Sequence, residues 1–144
     1  MTNVNSKIDA LIHAIRLQKE VDLAQKLAPL SPRQALILSL IEKQPGLLQK
    51  DIVAVTKTQP ASVSSFLKKL EDNGLILRHV PAENARNKEI YITQAGQKIV
   101  NQFNKANADI NRKMLGSLSK EQKDQLITLL AKIEKSYRHS QKSS

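Results

Sequence analysis

The residues from Gln59 to Gly74 form the stretch of this sequence with the most directional chemistry. Val63, Phe66, Leu67 and Leu70 recur at three- and four-residue spacing, so they share one side of a helix. The opposite side carries Ala61, Ser65 and Lys68, flanked by Ser62, Ser64 and Lys69. Small residues let a helix approach another surface closely. Hydroxyls donate or accept hydrogen bonds at base edges, and lysines neutralise phosphates. Gln59, Ala61, Ser62, Ser64 and Ser65 are therefore candidates for base edges, and Lys68 and Lys69 for phosphates. Pro60 suits the first helical turn, and Asn73-Gly74 suits the end. An ordinary surface helix with a solvated Ser/Lys face shows the same pattern, so the neighbouring segments must decide.

Other chemistry is poorly supported. The absence of cysteine excludes disulfides and thiolate metal sites. His13, His79 and His139 are scattered, and no pair has the spacing of a His-Glu-x-x-His helix. There is no Gly-rich phosphate loop and no Gly-x-Ser-x-Gly elbow. Glu71-Asp72 near a helix end suits a solvated face or a partner for nearby cations better than acid–base catalysis. No catalytic residue, metal or cofactor is expected.

The 144 residues suit one domain, or one compact unit with appended helices. A net charge of +10 favours a polyanionic partner, nucleic acid before an acidic membrane surface. Aromatic residues make up only 3%, which argues against single strands stacked on an aromatic platform. No apolar run approaches membrane-spanning length, and no signal-peptide pattern opens the chain. A soluble cytoplasmic protein is the expectation.

The segments around the Ser/Lys helix give it a context. Residues 7–28 are predicted as one helix, since no Gly or Pro interrupts them. Ile8, Leu11, Ile12 and Ile15 line one side of its first half; Val21, Ala24 and Ala28, with Leu17, lie nearly opposite in the second. A break near Gln18 is the alternative. Ser31, Pro32 and Gln34 form a capping box for a helix to about Lys43 that is apolar nearly all round and therefore buried. A short helix follows from Leu48 to about Lys57, with Ile52, Val53 and Val55 inside. The turn Lys57–Gln59 then leads into the Ser/Lys helix, which makes the pair a helix-turn-helix. Leu75–Val80 and Ile90–Thr93 are predicted as a hairpin whose tip carries Asn84, Arg86, Asn87 and Lys88. Such a basic hairpin is a wing, and Arg86 can enter a narrow minor groove. Thr93 caps a helix to about Met114 with the stripe Ile99, Phe103, Ala106, Ile110 and Met114. Ser119 and Gln122 cap a last helix with the stripe Leu126, Leu129, Leu130, Ile133 and Tyr137, and 138–144 is expected to fray.

This order resembles the MarR family of winged-helix transcriptional regulators. The resemblance covers nearly the whole chain. It is carried by Leu30-Ser31-Pro32-Arg33-Gln34, by Pro45-Gly46, by Gln59 through Ser64 and Lys68 through Ile76, and by Ile90 through Gly96. It implies a mostly α fold with a small β-hairpin wing: a winged helix-turn-helix domain at 29–93, and a helical dimerisation region from 1–28 and 94–144. It further implies a homodimer gripping a pseudo-palindromic double-stranded DNA operator, and release by a small, often phenolic, molecule. Three residues depart from the family pattern. Leu48 replaces a Ser or Thr cap, Lys57 a turn Gly, and Asn84 the Asp that orients the tip Arg.

A dimeric, sequence-specific DNA-binding regulator, acting as a repressor, is the reading that absorbs most of these features. A winged-helix protein–protein interaction module is the alternative, because residues 47–93 hold seven basic residues against five acidic ones, a surplus of only two. Membrane-surface binding explains neither the wing nor the small-residue face. Arg16 and Lys19, at the changeover between the stripes of the first helix, are the candidate partners of a small aromatic or acidic effector beside Leu36 and Leu40.

Overall fold

The computed structural model describes residues 3–81, 83 and 87–142. The elements are α1 (Val4–Leu27), α2 (Pro32–Lys43), β1 (Leu47–Leu48), α3 (Gln49–Thr56), α4 (Pro60–Asp72), β2 (Ile76–His79), β3 (Glu89–Ile92), α5 (Gln94–Leu115) and α6 (Lys120–Lys142). They fall into two compact units, Met1–Asn107 and Ala108–Ser144.

Helix starts follow their caps. The Ser31 hydroxyl accepts the Gln34 N–H at 3.1 Å, and the Gln34 amide oxygen accepts the Ser31 N–H at 2.9 Å. The same reciprocal pair recurs between Ser119 and Gln122 at the start of α6. Leu48 has no side-chain oxygen for α3. Only the returning half of that box forms, with Asp51 accepting the Leu48 N–H at 3.1 Å. Thr93 accepts the Gly96 N–H at the start of α5 and donates its own proton to the Gly74 carbonyl at 2.7 Å.

The core of the first unit is built on α2. Ile37, Leu38 and Ile41 are fully buried and cluster with Ile52 of α3, with Val63, Leu67 and Leu70 of α4, with Ile90 of β3 and with Val100 of α5. Beside this core lies a three-stranded antiparallel sheet in the order β1-β3-β2. Leu47 pairs with Ile90, and Ile76 with Ile92. The hairpin expected from the sequence is thus joined by a third strand. Two residues are too few to show an alternation, so β1 is invisible to periodicity.

Residues 4–27 form one helix, but its covered side differs from the expectation. Leu23 and Leu27 are buried and Lys19 and Asp22 half-buried, whereas Val21, Ala24 and Ala28 are exposed. The contact of α1 with the rest of its unit therefore continues the Ile8–Ile15 side instead of switching to the opposite one. The charged residues at 19 and 22 interrupt the stripe in composition but not in direction. Val55 is also exposed, although expected inside: α3 is short and buries only the Ile52 side. Residues 138–142, expected to fray, continue α6 as helix to Lys142.

Candidate nucleic-acid interface

Helix α4 is anchored by a side that is wholly buried at Val63, Leu67 and Leu70. That anchoring turns Ala61, Ser64, Ser65, Lys68 and Lys69 outward, while Ser62 is half-buried at the edge. Gln59 is exposed at the N-cap, with Pro60 following as the first helical residue. The helix ends in a Schellman motif: Leu75 N–H bonds to the Leu70 carbonyl at 2.9 Å, and Gly74 N–H to the Glu71 carbonyl at 3.0 Å. Gly74 takes φ +72° there, a backbone favoured by the missing Cβ. The Ser64 hydroxyl is engaged, accepting from Gln49 Nε2 of α3 at 2.6 Å, which ties the outer faces of the two helices together. It retains its proton to donate.

The turn between α3 and α4 is held by threonines. Thr56 donates to the Ile52 carbonyl at 2.7 Å and accepts the Thr58 N–H at 3.3 Å. Lys57, the C-cap of α3, sits in the left-handed region at φ 53° and ψ 27°. From α2, Arg33 Nη1 donates to Thr58 Oγ1 at 3.2 Å.

On the wing side, Asn84 and Arg86 lie outside the described residues. Asn87 is half-buried and Lys88 exposed. With Lys50 and Arg78 they border a notch of about 170 Å³ at the start of α3. Arg78 Nε stands 3.5 Å from Glu71 Oε2, close enough for attraction but not aligned as a hydrogen bond, so Glu71 partners a strand arginine. At the base of the wing, Tyr91 donates to Glu89 Oε2 at 2.6 Å. Chiefly through that bond, the carboxylate holds the phenol above its usual value of 10.0. The bond is therefore fully present below that value and lost only at higher pH.

A second feature lies in the same unit. Lys19 and Leu23 of α1, Arg33 and Leu36 of α2, and Phe103 and Asn107 of α5 line an open crevice of about 800 Å³. Val21 and Ala24, expected to pack, border it instead. Of the two cations assigned to the changeover, Lys19 lines the crevice; Arg16 stands beside His13, 3.4 Å from its Nδ1. Arg33 was missed by sequence reasoning. The one available signal was its place in the first turn of α2, where a cation faces the positive end of the helix dipole.

The architecture has known counterparts. A model of the MarR family matches residues 30–88, from the α2 cap through the helix-turn-helix into the wing. The transcriptional regulator HosA of Escherichia coli O157:H7 is 25% identical over 121 residues, covering 84% of this chain and 85% of that one. The HTH-type transcriptional regulator BilQ of Clostridium symbiosum is 30% identical over 95 residues, 66% of each. The chain belongs to the MarR family. The S. aureus MepR–DNA complex superposes with a TM-score of 0.70 at 26% identity, covering 94% of this chain and 96% of that one. The mostly helical winged fold expected from the sequence is therefore the fold observed. Among the described residues, no cluster of three His, Asp or Glu side chains could hold a metal ion in this MarR-family chain, and no helix is long and apolar enough to cross a membrane.

Proposed function

We propose that this MarR-family chain is a dimeric, sequence-specific double-stranded DNA-binding regulator of transcription. In this reading it acts in the cytoplasm as a repressor and not as an enzyme, and a small aromatic or acidic molecule loosens its hold on a pseudo-palindromic operator. The observation that carries it is the two-sided α4, with one side locked into the core and the other presenting hydroxyls and lysines between α3 and the wing. The MepR complex with DNA supports the choice of partner.

Two further observations support the finer parts. Ile8, Leu11, Ile12 and Ile15 on α1, and Leu129, Leu130, Ile133 and Tyr137 on α6, are all exposed large apolar residues at helical spacing. A second copy of the chain is the proposed cover for both stripes, which makes 1–28 and 94–144 the dimerisation region and 29–93 the DNA-binding domain. The crevice combines apolar side chains such as Leu23, Leu36 and Phe103 with Lys19, Arg33 and the opposing Glu20, and its volume is typical of small-molecule sites. An aromatic acid fits that lining, and it acts through differential affinity for the DNA-free state.

Lys68→Ala tests the groove assignment. It should weaken binding to all duplexes alike and reduce the slope of log affinity against log salt by about 1. Ser65→Ala should instead alter discrimination at single base pairs by ~1–3 kcal/mol where a good contact is lost. Unchanged affinity and salt slope in Lys68→Ala would rule out a phosphate contact by that residue.

A further inference from the structure

We propose that Gln49 fixes the polarity of the Ser64 hydroxyl, so that Ser64 meets a base edge as a donor and Gln49 is a positioning residue for sequence choice. This rests on the DNA-binding reading above. A free serine hydroxyl is ambivalent: it carries one proton and two lone pairs, and it rotates to suit either kind of partner. Ser64 is not free, since its oxygen accepts Gln49 Nε2 at 2.6 Å. Other hydroxyls on the helices, those of Ser39, Thr56 and Thr128, turn their protons back to the carbonyl four residues earlier. Ser64 makes no such bond among the described residues, and its side chain is exposed. Its proton is therefore left for a partner outside the protein.

Both ends of the Gln49–Ser64 bond are anchored. Ser64 follows Val63, which is fully buried. Gln49 is half-buried and opens α3 directly after Leu48, which pairs with Glu89 in the sheet and whose N–H is held by Asp51. The sense of the amide follows from its surroundings. Gln49 also borders the notch lined by Lys50, Arg78 and Lys88, where every charged residue is a cation. Those cations and the positive end of α3 favour the amide oxygen on their side, which leaves the NH2 for Ser64. An oxygen that already accepts an N–H is a stronger donor, because hydrogen bonds in a chain polarise one another. Such a hydroxyl matches guanine, which shows the acceptors N7 and O6 in the major groove, or thymine, which shows O4. Cytosine shows only its N4 donor there, which sets hydrogen against hydrogen.

The test uses a duplex selected by the full-length wild type from random sequence, together with every single base-pair substitution of it. Affinities are measured for the wild type, Ser64→Ala, Gln49→Ala and Gln49→Glu. Ser64→Ala identifies the contacted base pair as the position where discrimination flattens. There the wild type should prefer guanine or thymine to cytosine by about three- to tenfold, the worth of one net hydrogen bond. Gln49→Glu places an acceptor-only carboxylate on the same hydroxyl. It takes the Ser64 proton and leaves the oxygen to accept from the base, so the preference at that position should pass to cytosine while overall affinity falls. Gln49→Ala frees the hydroxyl to rotate, and discrimination at that position alone should fall several-fold. Should the added charge abolish binding by Gln49→Glu, Gln49→Ala carries the test alone. A preference that keeps its wild-type size in either Gln49 variant overturns the proposal. Loss of discrimination spread over the whole site does so too, since it marks Gln49 as a general support of the helix pair. If the wild type selects a duplex in which no position depends on Ser64, the proposal falls and the DNA-binding reading stands; if it selects none, both fall.

Discussion

Lys57 holds a left-handed backbone at the end of α3, a conformation that costs a side-chain-bearing residue roughly 1–2 kcal/mol. Glycine avoids that cost but gives the unfolded chain more freedom, worth about 0.4–1 kcal/mol in the other direction. Lys57→Gly should therefore leave stability unchanged or raise it by less than about 1.5 kcal/mol, as read from the midpoint of urea unfolding. A loss beyond 1 kcal/mol, about the size of a typical net hydrogen bond, would mean that the lysine side chain contributes contacts of its own. The departure of Lys57 from the family's usual turn Gly was visible in the sequence; the backbone shows that the turn keeps its left-handed step regardless. The outward positions of Ala61, Ser65 and Lys68 were equally legible, because the buried partners Val63, Leu67 and Leu70 fix the phase of the helix. The engagement of Ser64 by Gln49 and of Thr58 by Arg33 was not, since 15 and 25 residues separate the partners and only the fold brings them together.

The first turn of α5 lies tightly against the Leu75 backbone and Ile92. A Cβ added at Gly96 would run into the Leu75 carbonyl oxygen and lie 2.7 Å from Ile92 Cγ1. The backbone at Leu75 cannot retreat, because its N–H and carbonyl are both bonded, to Leu70 and Thr93. Gly96→Ala should destabilise the protein by ~1–3 kcal/mol, the cost of overpacking, measured by thermal or urea unfolding. An unchanged midpoint would show that the first turn of α5 can shift freely. Helix starts were the most legible feature of the chain, because capping boxes at Ser31 and Ser119 are local chemistry with a fixed spacing. The buried side of α1 was the least legible. Leu23 and Leu27 follow Lys19 and Asp22 on a side whose polarity alternates, and tertiary contact, not periodicity, selects them. Strand β1 escaped notice because its order comes from pairing with β3 and not from its own two residues.

At the scale of the whole molecule, the apolar surface is more informative than the charge. Only two of the ten surplus positive charges fall in 47–93, so the net charge by itself does not place a polyanion on the winged domain. The exposed stripes of α1 and α6 have no role in a lone winged domain, and the homodimer proposed above would bury them and bring two identical reading heads together. Two such heads should address half-sites about one turn, ~34–36 Å, apart along the duplex. Selection of binding sites from random double-stranded DNA with the purified wild type tests this central claim most directly. The account predicts enrichment of a pseudo-palindrome with half-sites at that spacing. The absence of any enriched sequence, or enrichment of a lone half-site with no paired partner, would contradict it.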